Sequence, residues 1–225
     1  MEEFSIKPIG VVRSDFKDKF GVPRQSGRAP SLKAKIEFFP PYNRPEAFVG
    51  LEGFSHAWVI FQFSKVKEES VSLTVRPPRL GGNARRGVFA TRSPYRPNRI
   101  GLTCVKIEKI EKVDGISLVI SGADLIDGTP VLDIKPYLPF ADSVPSAVGG
   151  FAESEKEHRL CVDFPPSLLS LLPEEKRQAV IECIADDPRP SYHDDERIYS
   201  MAFADFDISF FVKDATATVT AVKKI

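Results

Sequence analysis

Arginine is the residue type most concentrated in one short part of the chain. Between positions 76 and 99 there are seven arginines, no lysine and no acidic residue. A guanidinium presents its donors in a rigid planar fork, so it holds phosphate oxygens in pairs and stacks on bases. Interleaved proline and glycine favour loops over a helix here. The segment therefore predicts contact with a polyanion, and the alternative is a solvated face whose arginines pair with acidic residues elsewhere. These residues are Arg76, Arg79, Arg85, Arg86, Arg92, Arg96 and Arg99.

A carboxylate and an ammonium group stand two residues apart near the end of a predicted strand. Because strand side chains alternate between faces, Asp133 and Lys135 project to the same side. Such a pair is typical of a pocket, where Asp133 is a candidate to accept a proton and Lys135 to contact a substrate. A structural ion pair is the alternative.

The motif DPRPSY places Arg189 between two prolines, with Tyr192 close by. A rigid loop of this kind presents one guanidinium and one aromatic ring, which suits contact with an RNA loop. The alternative is that the prolines only end the preceding helix while Arg189 pairs with Asp186 or Asp187.

Several common kinds of active site have no signature in the sequence. LGGN at 80–83 lacks the G-x-G-x-x-G spacing of a dinucleotide-binding turn, and neither a P-loop nor a G-x-S-x-G elbow is present. Three cysteines and three histidines without close spacing argue against disulfides or a zinc cluster, so no metal is expected.

The charge of the chain is balanced overall but divided between its halves. Of the 31 basic and 31 acidic residues, positions 1–110 hold 20 and 10, so the remaining 115 positions hold 11 and 21. The sequence begins without a basic segment leading into an apolar one, and no apolar run approaches the length of a membrane span. We expect a soluble, cytoplasmic protein.

The elements that position these residues are mainly strands. Short apolar stretches separated by glycine and proline predict a β-barrel over residues 1–145, and a small α+β domain over residues 146–225. In the second domain, Pro173 followed by two glutamates predicts a helix start, and three strands then form a meander. The strand predicted at 57–63 is almost continuously apolar, so burial on both faces is expected. The strands predicted in the barrel are 5–12, 33–39, 57–63, 87–91, 101–110, 116–122 and 129–134, and those in the meander are 198–203, 207–212 and 216–222.

Longer residue strings resemble one family along nearly the whole chain. GLEGFSHAWVIFQF at 50–63, RPPRLGGNARRGVFATRSPYRPNRIG at 76–101, DLIDGTPVLDIKPYLPFAD at 124–142 and DPRPSY at 187–192 are similar to the TsaA-like family, the TrmO-type tRNA methyltransferases. The resemblance implies a β-barrel catalytic domain, a homodimer, and S-adenosyl-L-methionine bound without a Rossmann fold. It also implies methylation of the N6 nitrogen of N6-threonylcarbamoyladenosine at position 37 in threonine tRNA.

The resemblance also implies the positions that bind the cofactor. Arg92 would hold the methionine carboxylate, Phe63 and Leu102 would cover the adenine or methyl face, and Asp124 would accept from ribose hydroxyls or the amino group. Ordinary core packing is the alternative for Phe63 and Leu102, and a turn is the alternative for 121–124. The implied set is Gln25, Ser26, Gly27, Phe63, Ser64, Arg92, Leu102, Ser121, Gly122, Ala123 and Asp124.

Transfer RNA contacts are predicted for the arginine segment apart from Arg92, together with Lys135, Arg189 and Tyr192. The second domain is predicted to help select tRNA, since the implied cofactor positions all precede residue 125. Two rival functions remain open: an RNA-binding barrel without chemistry, and a methyltransferase of the same fold with a substrate other than tRNA. Cofactor binding distinguishes the methyltransferase from an RNA-binding barrel without chemistry. Salt-sensitive retention of tRNA distinguishes a tRNA methyltransferase from one with another substrate.

Overall fold

The computed structural model describes residues 3–66, 72–77, 84–113, 115–155, 158–190 and 197–225, without the side chains of 154 and 155. The predictions for Arg79 and Tyr192 lie outside these residues.

The first part of the chain forms a closed barrel of six antiparallel strands, in the order β1-β2-β7-β6-β3-β8. The strands up to residue 136 are β1 (Gly10–Arg13), β2 (Lys33–Phe38), β3 (His56–Gln62), β4 (Thr74–Val75), β5 (Arg86–Gly87), β6 (Ile100–Glu111), β7 (Ser117–Ser121) and β8 (Pro130–Pro136). The short strands β4 and β5 pair with each other outside the barrel. Inward positions such as Val12, Ile36 and Leu118 are fully buried and fill the barrel.

Three predictions for barrel strands differ from the structure. The strand predicted at 5–12 forms only over Gly10–Arg13, and residues 5–8 before it are exposed. The strand β3 buries only alternate residues, because Ala57, Val59 and Phe61 face the barrel interior while Trp58 and Ile60 on the outer face stay half-buried. Burial on both faces was therefore a wrong prediction, because alternate side chains of a barrel strand point away from the barrel interior. The strand predicted at 87–91 is absent over most of that range, because β5 covers only Arg86–Gly87 and a 3-10 turn follows at Val88–Ala90.

The second part of the chain packs one helix on a four-stranded sheet in the order β10-β11-β12-β9. The predicted helix and the antiparallel meander are present, and β9, which pairs parallel to β12, was not predicted. The elements after residue 136 are α1 (Pro139–Asp142), which follows the last barrel strand, and, in the second part, β9 (Cys161–Asp163), α2 (Pro166–Leu169), α3 (Glu174–Ala185), β10 (Tyr199–Phe203), β11 (Phe206–Lys213) and β12 (Thr216–Lys224). A mainly β protein with an N-terminal barrel and a small C-terminal α+β part is thus confirmed. In the described part of the chain, no helix has the length and apolarity to cross a membrane.

An N-terminal segment crosses into the core of the C-terminal part. Phe16 and Leu32 are buried there, and the Phe16 ring packs edge-on against Phe203 with 5.2 Å between centroids. The chain therefore leaves the barrel after β1, contributes to the second core, and returns as β2. Residues 24–28, in the middle of this excursion, are held between the two parts, and we call them the opening loop.

Candidate active site

A polar corner forms where the opening loop meets the arginine segment. Arg92 Nη1 donates to Gln25 Oε1 at 2.6 Å, and the Ser26 hydroxyl donates to the Cys104 carbonyl on β6. The Gly27 amide donates to the Gly122 carbonyl at 2.8 Å. Three consecutive residues of the opening loop are thereby fixed against three separate parts of the barrel. Two of the implied cofactor groups, 25–27 and 121–124, are brought together with Arg92.

Asp124 is the acidic group of this corner. Its carboxylate accepts from the Thr103 hydroxyl at 2.6 Å, and its side chain also interacts with Arg92 and the Ser26 amide. Burial raises the pKa of Asp124 above its usual value, although the Thr103 hydrogen bond and the Arg92 charge act in the opposite direction. The corner thus holds a partly desolvated carboxylate beside a guanidinium, two groups that suit a zwitterionic ligand with hydroxyl groups.

The residues just before Asp124 have a structural part in this corner. Ser121 is buried and its hydroxyl donates to Glu108 at 2.6 Å, while Ala123 is also buried. Gly122 has a φ of 69°, and this left-handed conformation, which favours glycine, turns the chain so that its carbonyl meets Gly27. Of the implied 121–124 run, only Asp124 therefore directs a polar side-chain group toward the corner.

Leu102 lies on β6, Phe63 directly follows the neighbouring strand β3, and the two side chains have different surroundings. Leu102 is 53% exposed on the outer face of β6, which is unusual for leucine and leaves it available to a ligand. Phe63 follows β3 and packs edge-on against Phe61, with 4.9 Å between ring centroids, so it also belongs to the barrel core. Ser64 is exposed beside it. No described contact joins Phe63 or Ser64 to the polar corner.

Asp133 occupies the same outer face as Leu102. Ile60 on β3 pairs with Leu102 on one side and with Asp133 on the other, so the three side chains form a row across the sheet. Two strand spacings separate Asp133 from Leu102, about 10 Å. Lys135 lies in the adjacent row, and its ammonium is 3.0 Å from the Asp133 carboxylate. Asp133 and Lys135 therefore form the ion pair that was the alternative to a substrate contact, and both side chains are about half exposed.

The described arginines of the segment differ in exposure: Arg76, Arg85 and Arg92 are exposed, whereas Arg86, Arg96 and Arg99 are half-buried. Arg86 and Arg96 donate to backbone carbonyls, and Arg86 also lies over the Phe151 ring. Arg99 has a weak bond to the Val66 carbonyl. Among the described residues, no carboxylate lies within 4.0 Å of a guanidinium in this segment. The alternative of a face neutralised by acidic partners is thus not supported there. The described arginines apart from Arg92 are Arg76, Arg85, Arg86, Arg96 and Arg99.

Arg189 has a different environment from the one predicted. Its guanidinium is mostly buried and binds the Asp187 carboxylate at 2.8 Å, while Asp187 also contacts His158 Nε2 at 2.9 Å. Burial alone would raise the pKa of Asp187, but the hydrogen bonds from Arg189 and His158 together outweigh it and lower the pKa. The structural alternative for Arg189 is therefore the one observed.

Sequence reasoning missed two groups that build the corner. Thr103 on β6 is only 3% exposed, and its hydroxyl donates to the Asp124 carboxylate. The Cys104 carbonyl accepts from the Ser26 hydroxyl. A threonine at an inward position between apolar residues was a detectable signal, because a buried hydroxyl needs a partner. A backbone carbonyl leaves no such signal. Among the described residues, no group of three histidine, cysteine or acidic side chains is placed to hold a metal ion.

A β-barrel with a guanidinium beside a partly desolvated carboxylate, next to arginines that have no carboxylate partner among the described residues, suits the class of barrel proteins that act on nucleic acid with a small cofactor. The model of the tRNA-methyltransferase O N-terminal domain matches residues 11–143, and the model of the TrmO C-terminal domain matches residues 157–225. The chain belongs to the tRNA-methyltransferase O family.

Individual relatives agree with this membership over the full length. The chain is 43% identical to the tRNA (adenine(37)-N6)-methyltransferase of Escherichia coli (strain K12), with 99% of each chain covered. It is also 43% identical to a putative S-adenosylmethionine-dependent methyltransferase of Pseudomonas aeruginosa, covering 91% of this chain and 90% of the relative. A crystal structure of TrmO from P. aeruginosa superposes with a TM-score of 0.82 at 33% identity, covering 100% and 99% of the two chains. The predicted family, enzyme class and cofactor are confirmed.

Proposed function

We propose that the chain transfers a methyl group from S-adenosyl-L-methionine to the N6 nitrogen of N6-threonylcarbamoyladenosine at position 37 of threonine tRNA. The observation that carries this proposal is the juxtaposition of the polar corner with exposed arginines that lack carboxylate partners among the described residues. Full-length similarity to an enzyme named for adenine 37 and its N6 nitrogen supports the position and the atom. The modified base and the threonine tRNA rest on the family resemblance. The cytoplasmic location stays a prediction.

The residues of the corner fit the functional groups of this cofactor. Arg92 binds the methionine carboxylate in place of, or together with, its present partner Gln25. The Asp124 carboxylate, which already accepts from the Thr103 hydroxyl, accepts from the ribose hydroxyls through its remaining lone pairs. Leu102 offers an exposed apolar surface for the adenine, and Gly27 has open space beside its Cα. When bound, the sulfonium supplies an activated methyl group.

The protein then has to align the acceptor nitrogen, exclude water and receive a proton. Asp133 is the candidate acceptor for that proton, because it lies in the same outer row as Leu102 and its carboxylate is partly exposed. Lys135, whose ammonium lies 3.0 Å from the Asp133 carboxylate, contacts the substrate. The exposed arginines bind the phosphates of the anticodon stem-loop, which positions the base without reading the sequence.

The homodimer is also part of this proposal. The segment 139–150 is exposed throughout, and it includes Phe140 and Val148 at 87% and 91% exposure. It is nevertheless anchored to the barrel, because Trp58 Nε1 donates to Asp142 at 3.0 Å. An ordered, exposed apolar segment of this kind suits contact with a second copy. A shift from dimer mass to monomer mass in Phe140→Asp, measured by light scattering, is the expected result, and an unchanged dimer would contradict this surface.

Mass spectrometry of nucleosides tests the proposed reaction. Threonine tRNA carrying threonylcarbamoyladenosine is incubated with protein and S-adenosylmethionine, and matched tRNA with unmodified adenosine 37 is the control. The modified nucleoside should gain one methyl group, and the control should gain none. Methylation of the control alone would place the activity on plain adenosine, and methylation of neither tRNA would favour a binding module or another substrate.

A further inference from the structure

We infer that Asp186, at the end of α3 in the C-terminal part, is a positioning residue for the cofactor site. Its carboxylate clamps both ends of the opening loop whose three central residues belong to the proposed site. The inference rests on the proposed function only in the location of S-adenosylmethionine. It assigns the C-terminal part a role in cofactor binding in addition to the predicted role in tRNA selection.

The clamp consists of two contacts from one buried carboxylate. Asp186 Oδ2 accepts from the Arg24 amide at 3.0 Å, and Asp186 Oδ1 accepts from Arg28 Nε at 2.5 Å. The Asp186 side chain is only 3% exposed, so water does not screen either contact. One residue thereby ties positions 24 and 28 together and sets the path of the chain between them.

The same two arginines are fixed by other groups of the C-terminal part. Arg24 Nη2 donates to the carbonyls of Asp187 and Arg189, at 3.2 and 2.5 Å, and Arg28 Nη2 donates to the His158 carbonyl at 2.6 Å. The described contacts of these two side chains are with the C-terminal part. They leave the Arg24 and Arg28 side chains directed away from the barrel.

Between the two ends held by Asp186, the loop residues contact the arginine segment and the barrel instead of the C-terminal part. Gln25 meets Arg92, Ser26 meets the Cys104 carbonyl, and Gly27 meets Gly122. The five-residue loop is thus stretched between the two parts, with its ends on Asp186 and its centre in the polar corner. Without the clamp, the loop would have to be ordered at the moment the cofactor binds, and that ordering cost would lower the affinity.

A second ion pair between the same two parts supplies a matched control. Lys176 on α3 binds Asp15 at 2.6 Å, with side chains 29% and 22% exposed, and neither residue contacts positions 24–28 in the described structure. Lys176→Met keeps the apolar stem of the side chain and removes the charge. If the contacts between the two parts affect cofactor affinity only through overall stability, removing either ion pair should weaken cofactor binding to the same extent.

The test is calorimetric titration of S-adenosylmethionine into the full-length protein and four variants, at a temperature where circular dichroism shows each to be folded. Asp186→Ala should weaken binding about tenfold, and Asp186→Asn, which keeps an acceptor for the Arg24 amide, about threefold. Lys176→Met should bind like the wild type even where its melting temperature falls. Arg92→Ala tests the cofactor site itself and should bind more weakly than any other variant.

Each outcome tests either the positioning role of Asp186 or the location of the cofactor site. Wild-type affinity in both Asp186 variants, with binding lost in Arg92→Ala, would overturn the positioning role and leave the cofactor site standing. Equal weakening in Lys176→Met and Asp186→Ala would also overturn it. Wild-type affinity in Arg92→Ala would overturn the site and the inference that rests on it. If Asp186→Ala does not fold, Asp186→Asn and Arg28→Gln decide by the same comparison, and unchanged affinity in both would count against the clamp.

Discussion

Arginines occur in two settings in this molecule, and the two settings differ in what neutralises the charge. At the junction with the C-terminal part, Arg28 and Arg189 bind buried carboxylates at 2.5 and 2.8 Å. In the segment after residue 75, Arg85 and its described neighbours have no carboxylate within ion-pair distance in the described structure. An arginine whose charge is compensated inside the protein holds the fold together, whereas one left uncompensated at the surface is available to an anion. Residue type alone does not separate these roles.

Arg92 stands between the two settings. It is exposed like its neighbours in the sequence, yet it is already oriented by Gln25 and by the charge of Asp124. A side chain held in place before the ligand arrives loses little freedom on binding. This suits a small cofactor, whereas the unconstrained arginines suit a flexible polyanion that contacts each of them weakly.

The largest effect is expected at the junction. Arg189→Ala leaves the mostly buried Asp187 without its closest partner, so the free energy of unfolding should fall by about 3 kcal/mol. Arg85→Ala, at an exposed position, should change it by less than about 0.5 kcal/mol. Urea unfolding of the two variants measures the contrast. An unchanged midpoint for Arg189→Ala, together with weaker tRNA binding, would restore Arg189 to the predicted tRNA surface.

The next effect is expected at Arg92. Arg92→Ala removes a charge-assisted bond to the cofactor carboxylate, so the dissociation constant for S-adenosylmethionine should rise about thirtyfold, equivalent to about 2 kcal/mol. The melting temperature should stay within about 2 °C, because the side chain is exposed. Calorimetry and thermal unfolding measure these quantities. A large fall in melting temperature with unchanged affinity would class Arg92 with the junction arginines.

A pH dependence of about tenfold in cofactor affinity is expected from Asp124. Its ionised form is the hydrogen-bond acceptor, so binding is strong above its pKa and weakens as the pH falls through it. Because burial raises this pKa, the weakening should begin at a higher pH than an ordinary aspartate would give. Titrations of the wild type and of Asp124→Asn across the acidic range check this. The variant should bind weakly at every pH with a flat profile, and a retained pH dependence would assign the titration to another group.

The smallest effect is expected for single arginines of the exposed segment. Arg85→Ala should weaken tRNA binding about threefold at low salt and reduce the slope of log affinity against log salt by about 1. Its affinity for S-adenosylmethionine should not change. Filter binding at several salt concentrations gives the slope. An unchanged slope would mean that Arg85 does not contact a phosphate.

Local pattern was sufficient to predict much of the fold. The short alternating strands, the helix start after Pro173 and the three-stranded meander all follow from local composition. The strand β9 was missed because its three residues form a strand only by pairing with β12, more than fifty positions further along the chain. The excursion of Phe16 and Leu32 into the second core was missed for the same reason, since both residues are equally suited to either core.

The site was predictable only in part. The opening-loop and Arg92 positions were implied by family resemblance, and the structure brings them together with Asp124. Ser121 and Ala123 match the family pattern as well, but their burial gives them a supporting role. For Arg189, the sequence is compatible both with an exposed side chain and with an ion pair to a neighbouring aspartate. Only the folded position of Asp187 selects between them.

A crystal structure of the protein with S-adenosylhomocysteine would show whether the polar corner is the cofactor site, because it locates the ligand without relying on any variant. We expect the ligand carboxylate to contact Arg92, a ribose hydroxyl to contact Asp124 and the adenine to pack against Leu102, with the opening loop still held by Asp186. A ligand bound elsewhere, with neither Arg92 nor Asp124 in contact, would contradict the assignment of the corner and the distinction drawn between the two sets of arginines.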